Sequence, residues 1–290
     1  MKKGEKLLLL AAALGGSSFV SVKVLLDWGY SAYQVIFGRF LVAVIALSII
    51  YGKEYPKITK EEWKAGAVSG MFLLAMFVLL TVGLSYTTPS VNAFLCNIPA
   101  VIVPFLCWGF FHQRPKRREL LAGGVTVIGV ALLSVTDGLQ FDLGAVLSFL
   151  SAVAFAFQVA FLGRLLLGKN PLHIALTEHV AVLVLSAVVL CFTGWDMPPL
   201  QLPVIGSVLH IGLLCTAAYF VLQSIAQKET SASTASVLIT TESIFAALFS
   251  LLLYGEKMSL RAVLGCVVIF LGVLLAQGGQ NVEKIEENEG

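Results

Sequence analysis

Charged residues are scarce in this sequence. Asp, Glu, Lys and Arg make up 12% of the 290 residues and hydrophobic residues 58%, whereas a typical soluble domain has roughly a quarter and a half. The apolar residues come in runs of about 20, the length that an α-helix needs to cross a bilayer. The ten-residue alternating pattern of a membrane β-barrel is missing. The composition therefore predicts an all-α protein that spans a membrane several times.

Sequence signals of enzyme chemistry are missing as well. The five cysteines have no CxxC or Cys/His spacing, so the sequence predicts neither a metal site nor a disulfide framework. There is no HExxH, no DxxD-like carboxylate cluster and no GxxxxGK[ST], which argues against an intramembrane enzyme and a nucleotide-driven pump. The basic residues do not form an aromatic-interleaved surface for nucleic acid. We expect no enzyme activity, cofactor, metal or nucleic-acid partner.

The apolar runs predict ten membrane-spanning helices. The first, which starts after KKGEK, continues past Gly15 and Gly16 without a convincing cleavage site, so we interpret it as a retained helix and not as a secretory signal. The ten predicted spans lie near 7–27, 32–51, 65–86, 90–110, 119–136, 142–163, 173–193, 203–225, 232–254 and 260–277.

The lysines and arginines predict the orientation. With a cytoplasmic N-terminus, fifteen of the 19 lie in inner segments and only Lys257 and Arg261 in outer ones, while Lys23 and Arg39 fall within spans. Such a positive-inside bias places both termini in the cytoplasm. We expect a multi-pass protein of the cytoplasmic membrane whose partners are the lipid bilayer and a small-molecule substrate.

The two halves of the chain are related by an internal repeat. At an offset of 143, Pro99 corresponds to Glu242 and Gly129 to Gly272; earlier in each half, an offset of 140 pairs Arg39 with His179. Each half has five predicted spans, an odd number, so the second half enters the membrane from the opposite side. We therefore predict inverted repeats over 1–138 and 139–277, an architecture of secondary transporters, followed by an acidic cytoplasmic tail over 278–290.

The order of several segments resembles the EamA-type ten-helix branch of the drug/metabolite transporter superfamily. These segments are SSFVSVK with YQVIFGR after a short loop, NIPAVIVP in span four, TTESIFAALFSLLLYGE in span nine and LGCVVIFLGVLL in span ten. The resemblance covers about residues 5–277.

The resemblance implies a secondary transporter of small organic solutes, often an exporter of amino acids or other metabolites. It implies a central cavity between helices 1–4 and 6–9, with helices 5 and 10 at the periphery. An uptake carrier and an accessory membrane subunit are the alternatives. Small multidrug-type relatives use a glutamate in the first helix to export cations, but span one here has no carboxylate before Asp27. This departure argues against antiport of cationic drugs.

Two cations fall within the spans. Arg39 lies roughly 10 Å deep in span two at 1.5 Å per residue, where an arginine either snorkels as an anchor or faces a hydrated or paired interior. Family members carry an arginine at the matching place, so the resemblance implies an inward-facing role. Lys23 is four residues from the end of span one and can snorkel. If both face inward, the outer half of the cavity attracts a carboxylate or phosphate.

Three further titratable residues are candidates for the site. Glu242 is the deepest carboxylate in the predicted spans; it is interpreted as a carrier of a coupling proton, as the partner of Arg39 or a helix dipole, or as a substrate contact. His179 is the repeat partner of Arg39, although a lone histidine often only packs. Its neighbour Glu178 lies about six residues into span seven, a depth at which interfacial glutamates are common.

Neutral polar residues in the spans are candidates for substrate specificity. Each can hydrogen-bond a solute or hold helices together; they are Asn92, Asn97, Gln158, Tyr219, Gln223 and Thr240. Tyr219 and Gln223 are four residues apart and share a helix face. Pro99 and Pro104 are expected to bend or open span four, and the glycines of the spans to allow close packing.

Overall fold

The computed structural model describes residues 2–84, 86, 92, 95–134, 143–254 and 259–277 and is helical without strands in those ranges. The predicted all-α fold is confirmed, while the acidic tail over 278–290 lies outside the described residues. The helices are α1 (Lys3–Gly16), α2 (Ser18–Asp27), α3 (Ala32–Tyr51), α4 (Lys60–Leu84), α5 (Pro99–Phe111), α6 (Arg117–Ser134), α7 (Leu143–Leu165), α8 (Pro171–Thr193), α9 (Leu202–Gly212), α10 (Tyr219–Gln227), α11 (Ala232–Ile239), α12 (Glu242–Tyr254) and α13 (Leu260–Gln277).

The long helices follow the predicted apolar runs. Six segments of the described part are long and apolar enough to cross a membrane, and Pro99–Phe111 and Val263–Ala276 are shorter apolar helices. Ten crossings and the cytoplasmic placement of both termini therefore stay predictions. Helix α3 starts at a capping box in which Ser31 and Gln34 exchange hydrogen bonds, which satisfies free amides at the helix end.

Helices α6 and α13 pack closely through glycines that correspond in the repeat. A Cβ built on Gly129 would lie 2.9 Å from the carbonyl oxygen of Gly265, and one built on Gly272 would lie 3.1 Å from that of Ala122. Gly265 and Ala122 are also 143 residues apart, so the two contacts are reciprocal. Reciprocal contacts of this kind are the signature of a two-fold relation. The sequence repeat is thus reproduced in the packing of these two helices.

Two predicted spans are interrupted at corresponding positions. Span nine divides into α11 and α12, and span four has a turn just before α5. At each turn one amide bonds three residues back instead of four: Ile98 N to Leu95 O at 3.1 Å, and Thr241 N to Leu238 O at 3.1 Å. The pairs differ by 143 residues. Pro99 begins α5, as its missing N–H favours, whereas Pro104 lies within that helix.

The start of α8 is tied to the start of α4. Glu62 accepts a hydrogen bond from the Asn170 amide at 3.1 Å and lies 2.9 Å from Nδ1 of His173. Two turns further along α4, Gly70 lets the helices approach, because a Cβ there would lie 3.0 Å from the carbonyl oxygen of Glu178. Helix α4 therefore covers the first half of α8, including Glu178.

Candidate functional site

Arg39 is buried inside the helix bundle and does not face the lipid. Only 7% of the residue is exposed. Its Nε donates to Thr216 Oγ1 at 2.8 Å, its Nη2 donates to the carbonyl oxygen of Cys215 at 3.0 Å, and its Cζ lies 4.4 Å from the centre of the Phe77 ring. Polar acceptors and an aromatic face are the surroundings that stabilise a desolvated guanidinium. Arg39 therefore points into the bundle and is not a snorkelling anchor at its surface, while its predicted role in a binding site stays a prediction.

The acceptors for Arg39 come from an irregular turn in span eight. Residues Leu213–Ala218 form a π-helical segment between α9 and α10. Thr216 Oγ1 donates to the carbonyl oxygen of Ile211, five residues back, at 2.7 Å. Gly212 at the start of this segment lets α3 approach, since a Cβ there would lie 3.1 Å from the Arg39 carbonyl oxygen. Such π-bulges occur frequently at functional sites.

His179, the repeat partner of Arg39, reaches the same segment. Its Nε2 lies 3.3 Å from the carbonyl oxygen of Thr216, and its Nδ1 lies 2.6 Å from that of Ala175. The ring is fully buried and lies next to the rings of Phe40 and Phe220, with centroids 5.7 and 5.9 Å away. Arg39 and His179, which correspond in the sequence repeat, therefore converge on Thr216 from two different helices.

Glu242 lies at the start of α12, next to the break between α1 and α2. Tyr219 donates to its Oε2 at 3.5 Å, and a Cβ built on Gly15 would lie 2.7 Å from its Cδ. The carboxylate therefore fits against α1 only because residue 15 has no side chain. Within the described residues Glu242 forms no ion pair with Arg39. The guanidinium hydrogen bonds go to neutral oxygens, so the pairing of Glu242 with Arg39 is an electrostatic attraction without a direct contact.

Glu178 belongs to a buried chain of hydrogen bonds. Its Oε1 accepts from Ser69 Oγ at 2.7 Å and from Gln158 Nε2 at 2.9 Å. Gln223 Nε2 donates to Gln158 Oε1 at 3.1 Å and to Gln227 Oε1 at 2.9 Å. Glu178, Gln158 and Gln223 are all 0% exposed. The sequence-based interpretation of Glu178 as an interfacial residue is therefore wrong.

Two of the remaining candidates have hydrogen-bond partners of their own. Asn92 Nδ2 donates to the carbonyl oxygen of Leu80 at 3.0 Å and to Ser148 Oγ at 2.8 Å, so it holds helices together. Thr240, which directly follows α11, donates to the Val237 carbonyl oxygen of that helix at 2.6 Å. Both side chains already have partners inside the bundle.

Two further candidates complete the predicted set. Asn97 is half-buried in the turn before α5, next to the interruption of span four. Lys23 lies on α2, and its side chain is outside the described part of the structure. The predicted site roles of both residues stay predictions.

Several residues that build the site were not predicted from the sequence. Phe77 and Thr216 hold Arg39, and Ser69 holds Glu178. Thr216 is one of the few polar residues in an apolar stretch of span eight, which was the only available signal. The Cys215 carbonyl is a backbone group, so no residue type could have indicated it.

Comparison with known proteins places the chain among membrane transporters. The family model described as the EamA-like transporter family matches residues 2–135 and 142–277. An uncharacterized transporter of Archaeoglobus fulgidus is 26% identical over 268 residues, which cover 92% of this chain and 83% of that protein. An uncharacterized transporter of Clostridium kluyveri is 24% identical, and the match covers 93% of that protein.

One comparison concerns a solved structure. A protein of known crystal structure has a TM-score of 0.78 at 13% identity, with 95% of this chain and 98% of that chain covered. At this low identity the likeness concerns the fold alone. It indicates that the helical arrangement described above occurs in another protein over nearly the full length of both chains.

Proposed function

Since the chain belongs to the EamA-like transporter family, we propose that it carries small organic solutes with a carboxylate group, amino acids or related metabolites, outward across the cytoplasmic membrane. The two halves act as inverted repeats that exchange conformations around a central site. The observation that carries this proposal is the pair of matched helix breaks before α5 and α12. Helices interrupted in corresponding positions of two repeats mark the substrate site in many carriers.

The anionic substrate class is inferred from Arg39. A guanidinium has five N–H donors, and its Nη1 has no hydrogen-bond partner among the described residues. The same guanidinium has no carboxylate within ion-pair distance in that part of the chain. A substrate carboxylate supplies both the missing acceptor and the missing charge. Glu242 and Tyr219 lie close enough to influence the same region and suit the amino group of an amino acid.

The test is flux through the purified protein in liposomes. The probe is a radiolabelled mixture of the proteinogenic amino acids, and Arg39→Gln is compared with Arg164→Gln. Arg164 is exposed near the end of α7, with its Cζ 5.9 Å from the Phe111 ring centre, so it is the matched control. A hydrogen-bonded charge contributes roughly 1.5–3 kcal/mol, and 1.4 kcal/mol is a factor of ten.

We therefore expect Arg39→Gln to lower flux about tenfold or more while Arg164→Gln keeps the wild-type rate. Membrane insertion and elution on size exclusion should be normal for both variants. Wild-type flux through Arg39→Gln would remove Arg39 from the site. Flux no greater than that of empty liposomes for every component of the mixture would refute the proposed substrate class.

A further inference from the structure

The hydrogen-bond chain around Glu178 has more acceptors than donors. Glu178 Oε2 and Gln223 Oε1 are buried oxygens without a hydrogen-bond partner among the described residues. The two donors that reach the carboxylate, from Ser69 and Gln158, both go to Oε1. Buried polar groups are nearly always paired, so an orphaned oxygen calls for an explanation. A proton on Oε2 turns one surplus acceptor into a donor.

The energetic cost of a buried charge also favours a proton on Glu178. An ionised carboxylate in the interior costs several kcal/mol unless a cation compensates it. Within the part of the chain described, Glu178 forms no ion pair. A neutral carboxylic acid avoids this cost.

Other titratable groups lie on the elements around Glu178. Those on the elements packed against α8 are Tyr33, Arg39 and Tyr51 on α3, Lys60, Glu61, Glu62 and Lys64 on α4, Arg164 on α7, Tyr219 on α10, Lys53, Glu54, Tyr55 and Lys57 on the turn 52–57, Cys215 in the π segment, and His173, His179 and Cys191 on α8 itself. Several buried ones have partners of their own: Arg39 with Thr216, His179 with two backbone carbonyls, and His173 with Glu62.

We propose that Glu178 is a proton-binding site, and that loss and gain of this proton accompany the transport cycle. The coupling part rests on the proposed carrier function. Helix α8 carries Glu178 next to His179, which contacts Thr216 in the segment that holds Arg39. Helix α10 carries Gln223, bonded to Gln158, one turn after Tyr219, bonded to Glu242. The same two helices therefore join the proton site to the substrate site.

Infrared difference spectroscopy tests the proton site without any substrate. A protonated buried carboxyl has a carbonyl stretch that disappears when it ionises. In wild-type protein in liposomes, we expect a component of this band to titrate with pH, to be lost in Glu178→Gln and to persist in Glu242→Gln. Persistence in Glu178→Gln, loss only in Glu242→Gln, or no titrating component in the wild type overturns the proposal.

A second variant covers the case in which Glu178→Gln does not fold. Glu178→Asp keeps a carboxyl, and cell-free synthesis with ¹³C-labelled glutamate and unlabelled aspartate shifts the bands of glutamates but not that of the new aspartate. An unshifted, titrating carboxyl band in Glu178→Asp that is missing from the labelled wild type supports the site. A labelled Glu178→Asp protein whose titrating bands are all shifted overturns it.

Transport under a pH gradient tests the coupling. With the radiolabelled amino-acid mixture inside the liposomes, an inward proton gradient is expected to accelerate efflux through the wild type. Glu178→Gln is expected to lose this acceleration and to keep counterflow at equal pH. Undiminished acceleration in Glu178→Gln overturns the coupling but leaves the carrier function intact. No wild-type flux with any component refutes the proposed substrate class and the coupling that rests on it, while the infrared result still decides the proton site.

Discussion

Removing the hydroxyl of Thr216 tests how Arg39 is held. Thr216→Val keeps the shape of the side chain but takes away the acceptor that lies 2.8 Å from Arg39 Nε. The buried Nε of the charged Arg39 side chain then loses its hydrogen-bond acceptor. Hydrogen bonds to charged groups contribute roughly 1.5–3 kcal/mol, whereas neutral ones between membrane helices average about 0.6 kcal/mol.

Thr240→Val is the matched control for this substitution. Thr240 is 2% exposed and Thr216 is 0% exposed. Each hydroxyl donates to a backbone carbonyl of its own span, at 2.6 Å for Thr240 and 2.7 Å for Thr216. Both variants lose this hydrogen bond to the backbone. Their difference therefore isolates the hydrogen bond from Arg39.

The measurement is unfolding by SDS in mixed micelles, followed by circular dichroism. We expect Thr216→Val to lose about 1.5–3 kcal/mol more than Thr240→Val, since its partner is charged and buried. This is a change of roughly 10- to 150-fold in the unfolding equilibrium. Equal losses in the two variants would refute the view that Thr216 stabilises the buried guanidinium.

Two further substitution experiments address packing and topology. Gly15→Ala places a Cβ 2.7 Å from Glu242 Cδ, so we expect it to destabilise the protein by about 1–3 kcal/mol. Gly124→Ala is the control, because the new Cβ has open space around it, and we expect no destabilisation. The same thermal shift in both variants would contradict the packing described. In a background without the exposed native cysteine, Lys53→Cys and Leu200→Cys should react with an impermeant thiol reagent from opposite sides of the membrane. Labelling of both from one side would disprove the predicted orientation.

The sequence predicted the long helices well because burial in lipid requires long apolar runs. Span two was predicted over 32–51, and α3 runs from Ala32 to Tyr51. The break at Pro99 was also foreseen, since proline lacks the amide that continues a helix. The corresponding break before Glu242 was not, because threonine and glutamate have no such local rule. That break can be inferred only when span nine is aligned with span four through the repeat.

The partners of the buried charges could not be predicted from residue types. Arg39 was expected to face inward, but its acceptors are a hydroxyl and a backbone carbonyl in an irregular turn. Glu178 was placed by its distance from the end of a span, whereas its burial comes from the glycine-mediated approach of α4. Depth along a helix can be counted in a sequence, but cover by a neighbouring helix cannot.

The π-helical segment Leu213–Ala218 also sets the direction in which the rest of its span faces. Each residue of a regular α-helix advances by about 100°, so one additional residue in a single turn rotates everything beyond it by about that amount. Without this insertion, Tyr219 and Gln223 would be directed away from Glu242 and Gln158. The same irregular turn that exposes a carbonyl to Arg39 thereby aligns α10 with Glu242 and with Gln158, the hydrogen-bond partner of Glu178.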